Sequence, residues 1–163
     1  MKIAICPGSY DPVTYGHLDI IRRSAGLVDK LIVTVFVNPT KKKAMFTIEE
    51  RLNMLRETTK DIPNVEVDTS TGLLNAYAAS KDCHLLIRGL RAFSDFEYEF
   101  QRALMLKKID PTLETAFFMT DGRYSYLSST GVRELAYFDG DVSQMVPPYV
   151  QDMIKKKMST IKK

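Results

Sequence analysis

The sequence predicts an α/β fold: a doubly wound parallel sheet forming one domain over residues 1–163. Three observations predict it. Short apolar runs alternate with longer amphipathic stretches along the chain, the order of a βαβα protein. The runs are rich in Val, Ile, Leu and Phe, as strands buried on both faces of a parallel sheet are. The first run passes through a Pro/Gly/Asp turn directly into a helical pattern, as a strand–loop–helix unit requires.

The first strand spans 2–6 and ends in Ile5-Cys6. Pro7-Gly8-Ser9-Tyr10-Asp11-Pro12 makes the turn, and Gly16-His17 opens a helix carrying Leu18, Ile21, Arg22 and Ala25 at helical spacing. The second strand, 31–37, is Leu-Ile-Val-Thr-Val-Phe-Val. A helix over 47–59 begins with the capping box Thr47-x-x-Glu50 and buries Ile48, Leu52 and Leu55. A strand at 64–68 and a short helix at 72–80 with Leu73, Leu74 and Tyr77 follow. The strand at 84–88 places His84 at its buried start, in a structural role. The helix over 94–108 opens with a second capping box, Ser94-x-x-Glu97, and puts Phe96, Phe100, Ala103 and Leu104 on one stripe. A strand at 114–119 and helices at 129–137 and 148–158 complete the chain, Pro147-Pro148 starting the last helix.

No apolar run approaches the ~20 residues of a membrane span. The first residues lack the basic-then-apolar pattern of a signal peptide, so a cytoplasmic location is expected, without membrane partners. Cys6 and Cys83 form no CxxC pair; Cys6 reads as a small buried hydrophobe. The formal charge of +3 is weak support for a nucleic-acid partner, and none is expected.

Ligands of doubly wound sheets bind beyond the carboxyl ends of the strands. Those ends carry Ser9, Tyr10 and His17; then Lys41; then Ser70 and Thr71; then Arg88, Gly89 and Arg91; then Ser125, Ser128, Ser129, Thr130 and Arg133. Cations, hydroxyls and glycines gather there, and carboxylates are few. A polyphosphate ligand requires that asymmetry, and helix N-termini add to it. Each residue also has an ordinary reading: Lys41 as a solvated loop lysine, Ser128 as an N-cap, Glu99 as an i,i+3 partner of Arg102. Neither G-x-G-x-x-G nor G-x-x-x-x-G-K-[ST] is present, and no nucleophile elbow or carboxylate cage appears. What remains can stabilise a phosphorus-centred transition state by positioning and electrostatics.

Thr14-x-Gly16-His17 resembles the (H/T)xGH signature of the nucleotidyltransferase superfamily, and Leu127-Ser128-Ser129-Thr130-x-x-Arg133 resembles its ISSTxxR signature. Together with Tyr10-Asp11-Pro12, Lys41-Lys42, Phe46-Thr47-x-Glu49-Glu50-Arg51, Arg88-Gly89-Leu90-Arg91 and Asp95-Phe96-Glu97-Tyr98-Glu99, nearly the whole chain resembles the bacterial phosphopantetheine adenylyltransferases. The resemblance implies a Rossmann-like nucleotidyltransferase fold. It implies transfer of the adenylyl group of ATP to 4′-phosphopantetheine, giving dephospho-CoA and pyrophosphate in coenzyme A biosynthesis. It implies Mg²⁺ held mainly by phosphates and water, a cytoplasmic homohexamer, and feedback inhibition by coenzyme A.

By the same resemblance His17, Lys41 and Arg91 are catalytic, and Ser9, Lys41, Leu74 and Arg88 bind the acceptor. ATP falls to Ser9, Tyr10, His17, Gly89, Arg91 and Glu99, with Tyr124, Ser125, Tyr126, Leu127, Ser128, Ser129 and Thr130. The residues themselves leave other readings open: nucleotidyl transfer to glycerol 3-phosphate or nicotinamide mononucleotide, a non-catalytic nucleotide or coenzyme A sensor, and, last, a nucleic-acid-binding module.

Overall fold

The computed structural model describes residues 1–37 and 44–162. Five strands, β1 (Ile3–Gly8), β2 (Lys30–Val37), β3 (Val65–Thr71), β4 (Leu85–Leu90) and β5 (Glu114–Met119), form one parallel sheet in the order β3-β2-β1-β4-β5. Helices α1 (Tyr15–Ala25), α2 (Ile48–Thr59), α3 (Leu74–Ser80), α4 (Phe93–Ile109), α5 (Ser129–Tyr137) and α6 (Pro148–Ile161) flank it, with a short 3-10 turn at Gly122–Tyr124. The doubly wound expectation is met. The strand order reverses between β1 and β4, so a crevice opens where their carboxyl ends diverge.

Several strands run past their apolar residues. β1 continues through Pro7 and Gly8 because the ladder with β2 extends to Gly8↔Val35. β3 continues through Ser70 and Thr71, paired with Phe36 and Val37; as the sheet edge it has no second neighbour demanding apolar side chains. β4 likewise reaches Leu90, opposite Met119.

One face of the sheet is closed by α1, α2, α5 and α6, which contribute Ile21, Leu55, Val132 and Ile154 to the larger core. The other carries α3 and α4 over Ile5, Ile32, Leu86 and Leu113. In α2, Leu52 and Leu55 are buried as expected and Thr47 caps through the predicted box. In α3, Leu74 and Tyr77 are buried, but Leu73 is the exposed N-cap. Tyr77 donates to Asp68 at 2.8 Å and accepts from Thr34 at 3.1 Å, fixing α3 to β2 and β3.

Helix α4 departs most from expectation. Its N-cap is Ala92, with no side-chain cap, and Ser94 already lies inside the first turn. The chain is held there by Asp95, whose carboxylate accepts from the Arg91 backbone N–H at 3.1 Å. Of its 17 residues only Glu99 is buried. Phe96, Phe100 and Leu104 are exposed, because α4 meets the core mainly through Leu106. His84 is exposed ahead of β4 and meets Thr112 at 3.1 Å; it is not the buried start of a strand.

Candidate active site

A cleft of about 440 Å³ opens over the carboxyl ends of β1 and β4. Its wall brings together Ser9, Tyr10, His17, Arg88, Gly89, Arg91, Glu99, Tyr124, Leu127, Ser128, Ser129 and Thr130. Ser125 and Tyr126 stand outside the wall; Tyr126 is exposed. Leu74 lines a smaller adjoining crevice with Leu86, Arg102, Ala103 and Leu106, and Arg88 and Glu99 border both spaces. Lys41 and Lys42 lie outside the described residues.

His17 sits at the third position of α1. Thr14 caps that helix through a capping box in which the imidazole takes the place of the usual Glu or Gln. The Thr14 backbone N–H donates to His17 Nδ1 at 3.0 Å, while the His17 N–H donates to Thr14 Oγ1 at 3.4 Å. A nitrogen that accepts carries no proton in the neutral ring, so the proton sits on Nε2. Burial, then the charges of Arg91 and Arg88, push the imidazole pKa down to about 4. At neutral pH His17 is therefore an uncharged donor, at the helix end where the N–H groups and the dipole favour anions.

The ring is walled by Tyr10, edge-on with centroids 5.0 Å apart. Tyr10 takes a left-handed backbone (φ 46°), and its buried hydroxyl donates to the Cys6 carbonyl at 2.9 Å. With that hydroxyl committed inside the fold, the Tyr10 side chain supports His17. Burial also pushes the Cys6 thiol up, which suits a packing residue better than a nucleophile. A Cβ on Gly8 would lie 2.8 Å from Tyr10 Cε2 and 2.9 Å from Cζ. Gly8→Ala should therefore force the ring aside and destabilise the fold by about 1–3 kcal/mol. Urea denaturation and the turnover rate should fall together; unchanged values of both would show that the ring moves freely. At Gly16 a Cβ would meet Tyr124 only at an ordinary 3.6 Å, so the protein itself does not demand glycine there.

The two arginines on the wall are both held by α4. Arg88 donates from Nε and Nη2 to Glu99 at 2.8 and 2.5 Å, and from Nη1 to the Pro7 carbonyl. Glu99 thus pairs across the cleft with Arg88, not with its helix neighbour Arg102. Arg91 donates from Nε and Nη2 to Asp95 at 2.9 and 3.1 Å, and from Nη1 to the Leu127 carbonyl at 2.7 Å. Ser128 caps α5, its Oγ accepting from Gly131 N–H at 2.9 Å, and Ser129 Oγ donates to the Pro12 carbonyl at 2.7 Å. Arg133 is not part of the cleft wall; it donates to the Asp11 carbonyl and to Thr130 Oγ1.

The loop between β1 and α1 is thus tied from three sides. α5 reaches it through Ser129 and Arg133, and α2 through Arg51, which donates to the Ser9 carbonyl at 3.0 Å. Buried Asp11 accepts from the Met45 and Phe46 backbone N–H groups, both at 2.9 Å. Among residues that strand-end reasoning passed over, Thr14, Asp95, Tyr98 and Thr120 also line the cleft. The Thr14-x-x-His17 spacing, identical to a capping box, was the signal for Thr14. The assembly suits a polyanion: helix N-termini, a neutral imidazole donor and two guanidiniums face one space.

Comparison with known proteins gives consistent results. Residues 5–135 match the family described as cytidylyltransferase-like. The chain is 55% identical over 157 residues to a phosphopantetheine adenylyltransferase of Caldanaerobacter subterraneus subsp. tengcongensis, covering 96% of this chain and 98% of that one. It is 51% identical over 161 residues to a phosphopantetheine adenylyltransferase of Desulfosudis oleivorans, covering 99% and 95%. A crystal structure from Vibrio parahaemolyticus, provisionally assigned as a nicotinate-nucleotide adenylyltransferase, superposes with a TM-score of 0.69 at 18% identity over 96% of this chain and 93% of that one. At that identity the superposition speaks for the fold.

Proposed function

Because the chain belongs to the phosphopantetheine adenylyltransferases, within the nucleotidyltransferase superfamily, we propose that it transfers the adenylyl group of ATP to 4′-phosphopantetheine, releasing pyrophosphate and forming dephospho-CoA. The observation that carries this reading is the His17 imidazole at the head of α1, its Nδ1 occupied by the Thr14 N–H so that Nε2–H is left to donate, in the same cleft as Arg88 and Arg91. An oxygen of the acceptor phosphate forms a bond to the α-phosphorus as the bond to the pyrophosphate oxygen breaks. A phosphate monoester, with a second pKa of about 6, is largely ionised at neutral pH, so the step needs no general base. Charge builds on the α-phosphate oxygens, and His17 donates to them as it builds.

Arg91 and the head of α5 meet the phosphates that leave, and Arg88 meets the acceptor phosphate where the two spaces join. The arm of the acceptor then runs along Leu74 in the smaller crevice, which Ala103 and Leu106 also border. Coenzyme A carries the same arm, so it would compete there. Lys41 is proposed, on sequence alone, to orient the acceptor phosphate.

Mg²⁺ fits as an ion carried by the phosphates. Among the described residues no cluster of three or more His, Cys, Asp or Glu side chains could hold a metal, and both carboxylates of the cleft are engaged by arginines. Bound there, the ion would neutralise charge on the triphosphate. The exposed apolar face of α4, with Phe93 90% and Phe100 44% accessible, supports self-association, and we assign it to the homohexamer. A cytoplasmic location completes the proposal; among the described residues no helix is long and apolar enough to cross a membrane.

The purified chain with ATP, 4′-phosphopantetheine and Mg²⁺ should release pyrophosphate in step with dephospho-CoA. Folded protein that releases none with this acceptor would sink the reading. Glycerol 3-phosphate, nicotinamide mononucleotide and CTP, each substituted in turn, should support little turnover. Faster turnover with any of them would reassign the acceptor or the nucleotide.

A further inference from the structure

Helix α4 is anchored weakly to the core, yet its first two turns grip both arginines of the cleft. The two grips have the same design. Each guanidinium spends Nε–H and one Nη2–H on a carboxylate and one Nη1–H on a backbone carbonyl, Pro7 for Arg88 and Leu127 for Arg91. A guanidinium has five N–H donors, so two remain on each for a ligand. Asp95 and Glu99 stand four residues apart, one helical turn, while their partners stand three apart at the end of β4. The spacing of a helix turn is thereby imposed on two cations, Arg88 within β4 and Arg91 just after it.

We infer that Asp95 is a positioning residue, acting with Glu99: the pair aims Arg91 and Arg88 and cancels their charge until phosphate oxygens share it. The assignment of Arg91 to the departing phosphates rests on the function proposed above; the grip itself does not. A bidentate carboxylate fixes the plane of a guanidinium as well as its position. It also repels an arriving anion, so the arginine holds ground-state phosphates less tightly than a bare cation would. Desolvation raises the Asp95 carboxyl, but the hydrogen bonds and charge of Arg91 outweigh it and hold the group below the usual carboxylate range. The carboxylate is therefore ionised throughout the neutral range.

Asparagine at position 95 keeps the shape, loses the charge, and offers one acceptor oxygen to three donors of Arg91, its backbone N–H, Nε–H and Nη2–H. Asp95→Asn in the full-length chain should bind inorganic pyrophosphate more tightly, on the order of tenfold, because a like charge is removed near the anion in a partly screened cleft. It should also lower kcat with saturating ATP by about tenfold or more as Arg91 loses its direction. A residue with a merely structural role would not move affinity and turnover in opposite senses. Asp95→Glu, which restores the charge, should return the pyrophosphate affinity to that of the unsubstituted chain.

The measurements are calorimetric titration with pyrophosphate and steady-state kinetics, with circular dichroism to establish folding. Pyrophosphate affinity in Asp95→Asn that is unchanged or weaker, while the unsubstituted chain binds normally, would overturn the inference and leave the proposed reaction standing. Failure of the unsubstituted chain to bind pyrophosphate at all would count against the phosphate site itself.

Discussion

Replacing His17 by Ala should lower kcat about 10²–10³-fold, the usual loss when one preorganised donor to a developing oxyanion is removed. The dissociation constant for ATP should stay within a few-fold. The argument turns on charge. With its pKa pushed down to about 4, the imidazole brings no positive charge to the bound nucleotide at neutral pH. Its contribution grows only as negative charge accumulates on the α-phosphate, so it belongs to the transition state. The two neighbouring arginines supply ground-state attraction without it. Equal losses in turnover and nucleotide affinity would make His17 a binding residue instead.

The proton position can be read directly, since the chain has two histidines, His17 and His84. The ¹⁵N spectrum should show His17 protonated at Nε2 only, and neutral down to about pH 5. The same shift bears on stability. The folded-state pKa lies below that of the unfolded chain, so between about 6.5 and 4 the unfolded state binds more protons. The contribution of His17 to stability is thus complete above pH 6.5 and falls as the pH drops through that window.

The sheet, its doubly wound character and the crevice were legible because buried parallel strands leave dense apolar runs, and the βα order does the rest. The cleft was legible at its strand ends for the same topological reason. What escaped was written in contacts that sequence spacing does not specify. Glu99 has a local partner available in Arg102, yet it meets Arg88, eleven residues away and on another element. Ser129 has a hydroxyl suited to phosphates, yet it donates to Pro12 across the fold. The apolar stripe of α4 satisfies the periodicity of a core helix, although Phe96, Phe100 and Leu104 face outward. Periodicity reports that a face must be covered and is silent on what covers it. Ser94 shows the same limit for caps. A backbone N–H already held by Asp95 let the helix begin two residues earlier than the Ser94-x-x-Glu97 box requires.

Asp11→Ala should be the most damaging substitution outside the cleft wall, costing about 3 kcal/mol or more, since each hydrogen bond to an ionised acceptor contributes about 1.5–3 kcal/mol. The carboxylate is buried and holds the Met45 and Phe46 N–H groups, both at 2.9 Å. Phe46 is among the largest fully buried side chains, so its amide has no water to turn to once the acceptor is gone. For a domain of this size the loss should lower Tm by roughly 6–12 °C. Asp11→Asn should cost less, because one carbonyl oxygen survives to serve one of the two donors.

The functional consequence follows from where Asp11 sits. It belongs to the loop that also carries Ser9, Tyr10 and Thr14, and its own carbonyl is held by Arg133 of α5. Loosening the carboxylate end frees the loop from the segment that leads into α2, while Arg133, Ser129 and Arg51 still hold it from two sides. Below its lowered Tm, Asp11→Ala should therefore retain nucleotide binding and lose acceptor affinity and turnover, measured as a rise in KM for 4′-phosphopantetheine beyond any rise for ATP. If thermal stability is unchanged, the two amide bonds are not what secures this loop to α2. If both KM values rise in the same proportion, the tie serves the whole cleft and gives no preference to the acceptor side.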